Sequence, residues 1–257
     1  MGTSTRDDFQ RNVTRIALAA THQYGFALAG SGAIREHQFT ERPTEDVDLF
    51  TVISHRNSFS AAVTAARDAL TTAGYDVQIL RDLDGFAQLQ ASNRTQVIEI
   101  DLGIDYRAEP PTQLQVGPVL AESDAVGNKI AALFSRGEAR DYLDAYSIRT
   151  SGRYTDQKLY ELAKRADNGF TLEYFATRLQ LAARLQPRQV EQYGLSAHDL
   201  QTVKASLIEW AAEIDKTLQT KPANQPGVAV DPHLTRLPTD AHSGPQQPTT
   251  GSNGLSR

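Results

Sequence analysis

The chain reads as an α/β protein, a small mixed sheet with helices followed by an all-helical C-terminal region. Three observations predict this. Short apolar runs bounded by Gly, Asp and Asn turns recur between residues 26 and 104. Amphipathic spacings at 7–24 and 57–73 interrupt those runs with helices. From about Glu122 onward only helical periodicity remains. The expected division is a sheet-bearing core over 1–121, a helical domain over 122–220 and a disordered tail over 221–257.

In chain order, the first helix places Phe9, Val13, Ile16 and Ala20 on one stripe. Residues 26–30 (FALAG) form a short buried strand that stops at a glycine turn, and the polar stretch 31–45, broken by Pro43, has no regular element. Asp46 to Val52 is the second strand, and the helix at 57–73 ends at Gly74 as a C-terminal cap. YDVQIL, FAQLQAS and TQVIEIDLGI supply three more strands, after which Pro110, Pro111 and Pro118 mark a connecting segment. The helices expected next are 122–135, 139–149, 156–167, 171–185 and 197–219. The last carries Leu200, Val203, Leu207, Trp210, Ile214 and Leu218 at spacings of three and four, a core stripe. Residues 221–257 hold six of the eleven prolines and no aromatic residue, too little apolar area to offset the entropy of ordering.

Composition removes several function classes. The chain has 257 residues and no cysteine, so a disulfide scaffold, a thiolate zinc site and a catalytic cysteine are excluded. Its six histidines never fall at the roughly three-to-five spacing of a local zinc site. No apolar run approaches the roughly 18 residues of a membrane span, and the charged N-terminal stretch does not resemble a signal peptide. A cytoplasmic protein without membrane contact is expected. The net charge of −5 hides a gradient: residues 1–128 carry ten Arg, no Lys and 17 acids, whereas 129–190 carry eleven basic and seven acidic residues. The acidic front suggests carboxylates gathered around cations, and the basic middle suits a polyanion.

The chemistry concentrates in LAGSGAIREHQFTERPTEDVDLFTV, residues 28–52. A turn at Gly30-Ser31-Gly32 lets backbone N–H groups approach phosphate oxygens closely. Asp46 and Asp48 stand two apart on a strand, so both carboxylates point to one face, about 6–7 Å apart. Such a pair raises its own pKa values unless a cation intervenes, and a hard ion such as Mg²⁺ (or Mn²⁺) resolves the conflict. On a second strand, parity sends Ile98 and Ile100 inward and Glu99 and Asp101 to the other face, so Asp101 is the candidate third metal ligand. Each piece alone has a plainer reading, as a solvated strand edge or an ordinary turn. The combination is what points to a site.

A dinucleotide-binding turn is the nearest competitor, because GSGAIR follows a strand. It is rejected. Arg35 replaces the third glycine, the segment before the acids contains Pro43 and is too short for a crossover helix, and those acids open the second strand rather than closing it.

Farther on, Lys129 lies in a helix with apolar residues Ile130, Leu133 and Phe134, where its ammonium can reach a triphosphate. Arg136 and Arg140 either add phosphate contacts or pair with Asp141 and Asp144, which are three apart and expected to share a helix face.

The order strand–GSGAI–Arg42-x-Thr44-x-Asp46-x-Asp48, then IEIDL, then Lys129 and the run Arg136-x-x-x-Arg140-Asp141-x-x-Asp144 resembles the AbiEii/AbiGii-type nucleotidyltransferase toxins, MenT-type enzymes included. The resemblance spans roughly residues 7–150. It implies a polymerase-β-like nucleotidyltransferase core and metal-dependent transfer of a nucleotide from an NTP, in several members onto the 3′ end of tRNA, with a cognate antitoxin. By the same resemblance Asp46 and Asp48 match the metal pair, Asp101 the third carboxylate and Thr44 a hydroxyl beside the first aspartate. Lys129 matches a triphosphate-holding lysine, and Asp144 or Asp141 the last acid. Two other outcomes stay open: transfer to a protein or small-molecule acceptor, and a non-catalytic nucleotide-binding toxin–antitoxin module.

Overall fold

The computed structural model describes residues 5–220, and the tail expected at 221–257 lies outside the described residues. Helix α1 (Thr5–Thr21) buries Phe9, Val13 and Ala17, which recur every four residues, while Ile16 and Ala20 are only half-buried at the margin. A 3-10 turn and Gly25, at φ 74°, reverse the chain into β1 (Ala27–Leu28).

The strand expected over 26–30 is therefore shorter, because a helix begins almost at once after it. At Gly30 the chain enters helix α2 (Gly30–Glu36), which buries Ser31, Ala33 and Ile34. Seven residues are too few for a periodic signal, so this helix was not legible in the polar stretch after Gly30. The remaining core elements are β2 (Asp46–Thr51), α3 (Phe59–Thr72), β3 (Asp76–Leu83), β4 (Phe86–Ser92) and β5 (Val97–Ile104). The proline-marked connection also contains two short strands, β6 (Thr112–Leu114) and β7 (Gly117–Val119).

Among the described residues the strands form one seven-stranded mixed sheet in the order β3-β4-β5-β2-β1-β7-β6. β2 lies at its centre, parallel to β5 and antiparallel to β1. The strand period of two divides the faces. Val47, Leu49, Leu89, Ile98, Ile100 and Leu102 are buried on the face covered by α1 and α3. The opposite face carries Asp46, Asp48, Gln88, Gln90, Glu99 and Asp101, half-buried or exposed. Burying one Leu or Ile contributes about 1.5–3 kcal/mol. A one-residue slip of β2 would expose Val47 and Leu49 and bury two carboxylates, so the register that aims the acids is fixed by the core.

The helical region comprises α4 (Glu122–Ser135), α5 (Ala139–Thr150), α6 (Asp156–Ala166), α7 (Leu172–Gln180), α8 (Pro187–Val190) and α9 (Ala197–Thr220). α4 and α6 cross closely at Gly127, where a β-carbon would come within 2.7 Å of the Leu162 carbonyl oxygen. The helix expected at 171–185 ends at Gln180. A 3-10 turn (Leu181–Arg184) tightens its end, and Pro187, which has no N–H to donate, opens α8. In α9 the expected stripe is buried at Leu200, Val203, Leu207, Trp210 and Ile214, and the Trp210 indole donates to the Tyr160 hydroxyl at 2.7 Å.

Candidate active site

The register of β2 against β5 sets Asp46 opposite Glu99 and Asp48 opposite Asp101. Paired residues of neighbouring strands project to one face, so Asp46, Asp48 and Asp101 share the uncovered side of the sheet. All three line a cavity of about 620 Å³, together with Gly30, Ser31, Lys129, Arg136 and Arg140. Gln88 on β4 donates to Asp101 Oδ1 at 3.0 Å and to Glu99 Oε2 at 3.2 Å, tying the third carboxylate to the sheet.

The carboxylates strain one another electrostatically. Burial, then the proximity of Asp46, push the Asp48 carboxyl up to about 6, with Asp101 adding to the rise and Lys129 and Arg140 opposing it. Burial likewise raises Asp101, against the Gln88 hydrogen bond. Gly30 supplies the space beside them. Its φ is +56°, and a β-carbon there would fall 1.7 Å from Asp48 Oδ2.

Behind this row is an ion cluster joining three elements. Arg42 grips Asp144 on α5 bidentately, with Nε and Nη2 each donating at 2.7 Å. Lys129 on α4 lies 2.8 Å from Asp144 Oδ2, and both Lys129 Nζ (2.7 Å) and Arg42 Nη2 (2.6 Å) donate to the Ser31 hydroxyl at the start of α2. Asp144 is fully buried. Burial pushes its carboxyl up, but Lys129 and Arg42 outweigh that and leave it below the usual carboxylate range. Two cations meet one carboxylate, so the cluster keeps an excess positive charge beside Asp48. Lys129 is thus a clamped, buried ammonium rather than the flexible arm its sequence position suggests.

Asp141 and Asp144 do not act as a pair. Asp141 is held at 2.8 Å by Arg136 through Nε and Nη2 and accepts the Glu138 amide at 3.0 Å, fixing the start of α5, whereas Asp144 turns to Arg42 and Lys129. Arg140 pairs with neither. It approaches Asp46 at 3.6 Å and Glu138 at 3.0 Å, and its Nε is buried with no hydrogen-bond partner among the described residues. Neither Asp141 nor Asp144 lines the cavity, and both stand behind it. Thr44 and Gly32 also lie away from it. The Gln10 amide donates to the Thr44 hydroxyl, and Gly32 abuts Leu28. Arg42 is the residue that sequence reasoning missed as a site component. Its only signal was its place in the run before Asp46.

The donor set fits a hard divalent ion, since every candidate ligand offers carboxylate oxygen. Among the described residues, no three His, Asp or Glu side chains close around a common point. The acids form a row along β2 and across to β5. That suits an ion such as Mg²⁺, which takes one or two carboxylates and completes its shell with phosphate oxygens and water.

A family model described as nucleotidyl transferase AbiEii toxin, type IV TA system, matches residues 14–233. The crystal structure of JHP933 from Helicobacter pylori aligns over 85% of this chain and 95% of that one, at TM-score 0.51 and 19% identity, and shows the shared fold. MenT4, a nucleotidyltransferase toxin from Mycobacterium tuberculosis, aligns over 82% of this chain and 85% of its own, at TM-score 0.48 and 14% identity. No curated protein sequence matches the chain. No helix among the described residues is long and apolar enough to cross a membrane.

Proposed function

This chain belongs to the AbiEii nucleotidyl transferase toxin family of type IV toxin–antitoxin systems, and from that premise we propose that it moves a nucleotide from an NTP onto the 3′ end of a tRNA. The family makes the chain a nucleotidyltransferase and implies a cognate antitoxin. The finer reading covers the NTP, the RNA acceptor, the divalent ion and a cytoplasmic setting where NTP and tRNA meet. One observation carries it: Asp48 and Asp101 stand in register on neighbouring strands with Asp46 beside them, facing Lys129, Arg136 and Arg140 across one cavity.

In this reading the acceptor hydroxyl oxygen attacks the α-phosphorus of the NTP, the bond to the pyrophosphate oxygen breaks, and pyrophosphate leaves. Asp46, Asp48 and Asp101 form the row from which one or two carboxylates would hold Mg²⁺ or Mn²⁺, and the ion would lower the hydroxyl pKa and neutralise charge at the phosphoryl centre. Asp101, in register with Asp48 on the neighbouring strand, would complete the ion's shell or accept the hydroxyl proton. Gly30 and Ser31 let the triphosphate approach the main chain, and Lys129 holds it with the excess charge of the Arg42–Asp144 cluster behind. Arg136 and Arg140 both line the cavity, so their guanidinium groups can meet phosphate oxygens. Asp144 and Asp141 act as positioning residues for these cations. Thr44, away from the cavity, supports β2 through Gln10, which also donates to the Asp46 carbonyl at 2.9 Å.

The test is incubation with each labelled NTP, Mg²⁺, total RNA and bulk protein. Label in RNA is expected. Label in protein or in a small molecule would replace the acceptor, and NTP binding without transfer would leave only a nucleotide-binding module.

A further inference from the structure

The polar face of the sheet extends beyond the cavity. Arg81 on β3 pairs with Gln88 on β4, Gln88 with Asp101 on β5, and Asp101 with Asp48 on β2, so one row crosses four strands. The register shifts between Ile79 and Arg81. Ile79 pairs with buried Leu89. Without the shift, Leu80 would fall opposite Gln88 and Arg81 opposite buried Ala87. The extra residue therefore re-aims a cation onto the face of the acids, as bulges beside active sites do. Arg81 is exposed and attracts Asp101 through space, with no hydrogen bond or close ion pair among the described residues.

Position selects what this cation meets. Lys129, Arg136 and Arg140 bound the cavity from α4, α5 and the turn between them, whereas the sheet order sets Arg81 on the other side of the acids, about 14 Å from Asp48 at the usual strand spacing. In an in-line displacement the attacking oxygen enters opposite the leaving pyrophosphate. With the triphosphate on the α4 side, the acceptor comes over β3, β4 and β5. That face also carries Glu99 and Asp101, which repel a polyanion, and Arg81 offsets them.

We infer that Arg81 binds a backbone phosphate of the acceptor strand and guides its terminal hydroxyl across the sheet to Asp101. This rests on the RNA-acceptor reading above. The test measures transfer into RNA at several salt concentrations for wild type, Arg81→Gln, Arg81→Lys and Arg94→Gln, the last removing an exposed arginine just after β4. For Arg81→Gln the KM for RNA should rise about tenfold with kcat and the KM for NTP unchanged, and the salt slope should fall by about one. Arg81→Lys should recover most of the loss, and Arg94→Gln should resemble wild type. An unchanged RNA KM for Arg81→Gln, a raised NTP KM instead, or an equal effect of Arg94→Gln each overturns the inference while the RNA reading stands. A wild type that labels no RNA removes both.

Discussion

The Asp48 carboxylate rests against the main chain of Gly30, so closely that a β-carbon on Gly30 would lie 1.7 Å from Asp48 Oδ2. The first glycine of the GSG segment and the second aspartate of the Asp-x-Asp pair therefore form one structural unit.

Gly30→Ala should displace that carboxylate. It also forces alanine to φ +56°, a strain of about 1–2 kcal/mol. Expected is a drop in transfer of roughly a hundredfold, near 2.7 kcal/mol of transition-state stabilisation, with far-UV circular dichroism retained. Near-normal transfer would show that Asp48 tolerates the move.

Asp48→Asn should trade function for stability. The carboxyl is raised to about 6, so its charged form opposes folding, and that penalty grows as pH rises from its ordinary value of 3.8 through 6. In chelator at pH 7 the variant should be more stable than wild type by up to about 3 kcal/mol, the gap closing toward pH 4. Added Mg²⁺ should raise the melting temperature of wild type more than that of the variant. A variant that is less stable at pH 7, or that responds equally to Mg²⁺, contradicts the crowded-carboxylate picture.

Asp144→Asn should weaken the fold itself. It leaves two buried cations on a neutral amide, a loss of about 3–5 kcal/mol by denaturant unfolding. The sign with pH is opposite to that for Asp48. Asp144 is lowered from 3.8, so its contribution is complete above that value and is lost only as acid drives pH through the folded-state value below it. A loss under about 1 kcal/mol would mean that water or the chain compensates the cations.

Much of this was legible in the sequence, because alternation carries it. Val47 and Leu49, alternating with Asp46 and Asp48, and Ile98 and Ile100 around Glu99, fix which way the acids point before any coordinates are seen. The Asp48–Asp101 pairing was only half legible. Parity supplied the face, but the register comes from the assembled sheet. Arg42 and Asp144 are 102 residues apart, so nothing local announces their bidentate contact. Helix α2 and strands β6 and β7 were missed for want of length, since Pro118 reads as punctuation although it pairs with Gln113. Asp141 and Asp144, expected to share a helix face, turn to different arginines, Arg136 and Arg42.

The most direct measurement is label transfer from an NTP to RNA by purified wild type, Asp46→Asn and Asp101→Asn, with folding checked by thermal unfolding. Wild type should label RNA 3′ ends, and both variants should fold yet lose at least about a thousandfold in rate, near 4 kcal/mol. A folded Asp46→Asn enzyme that transfers at the wild-type rate would show that these carboxylates do not hold the reaction.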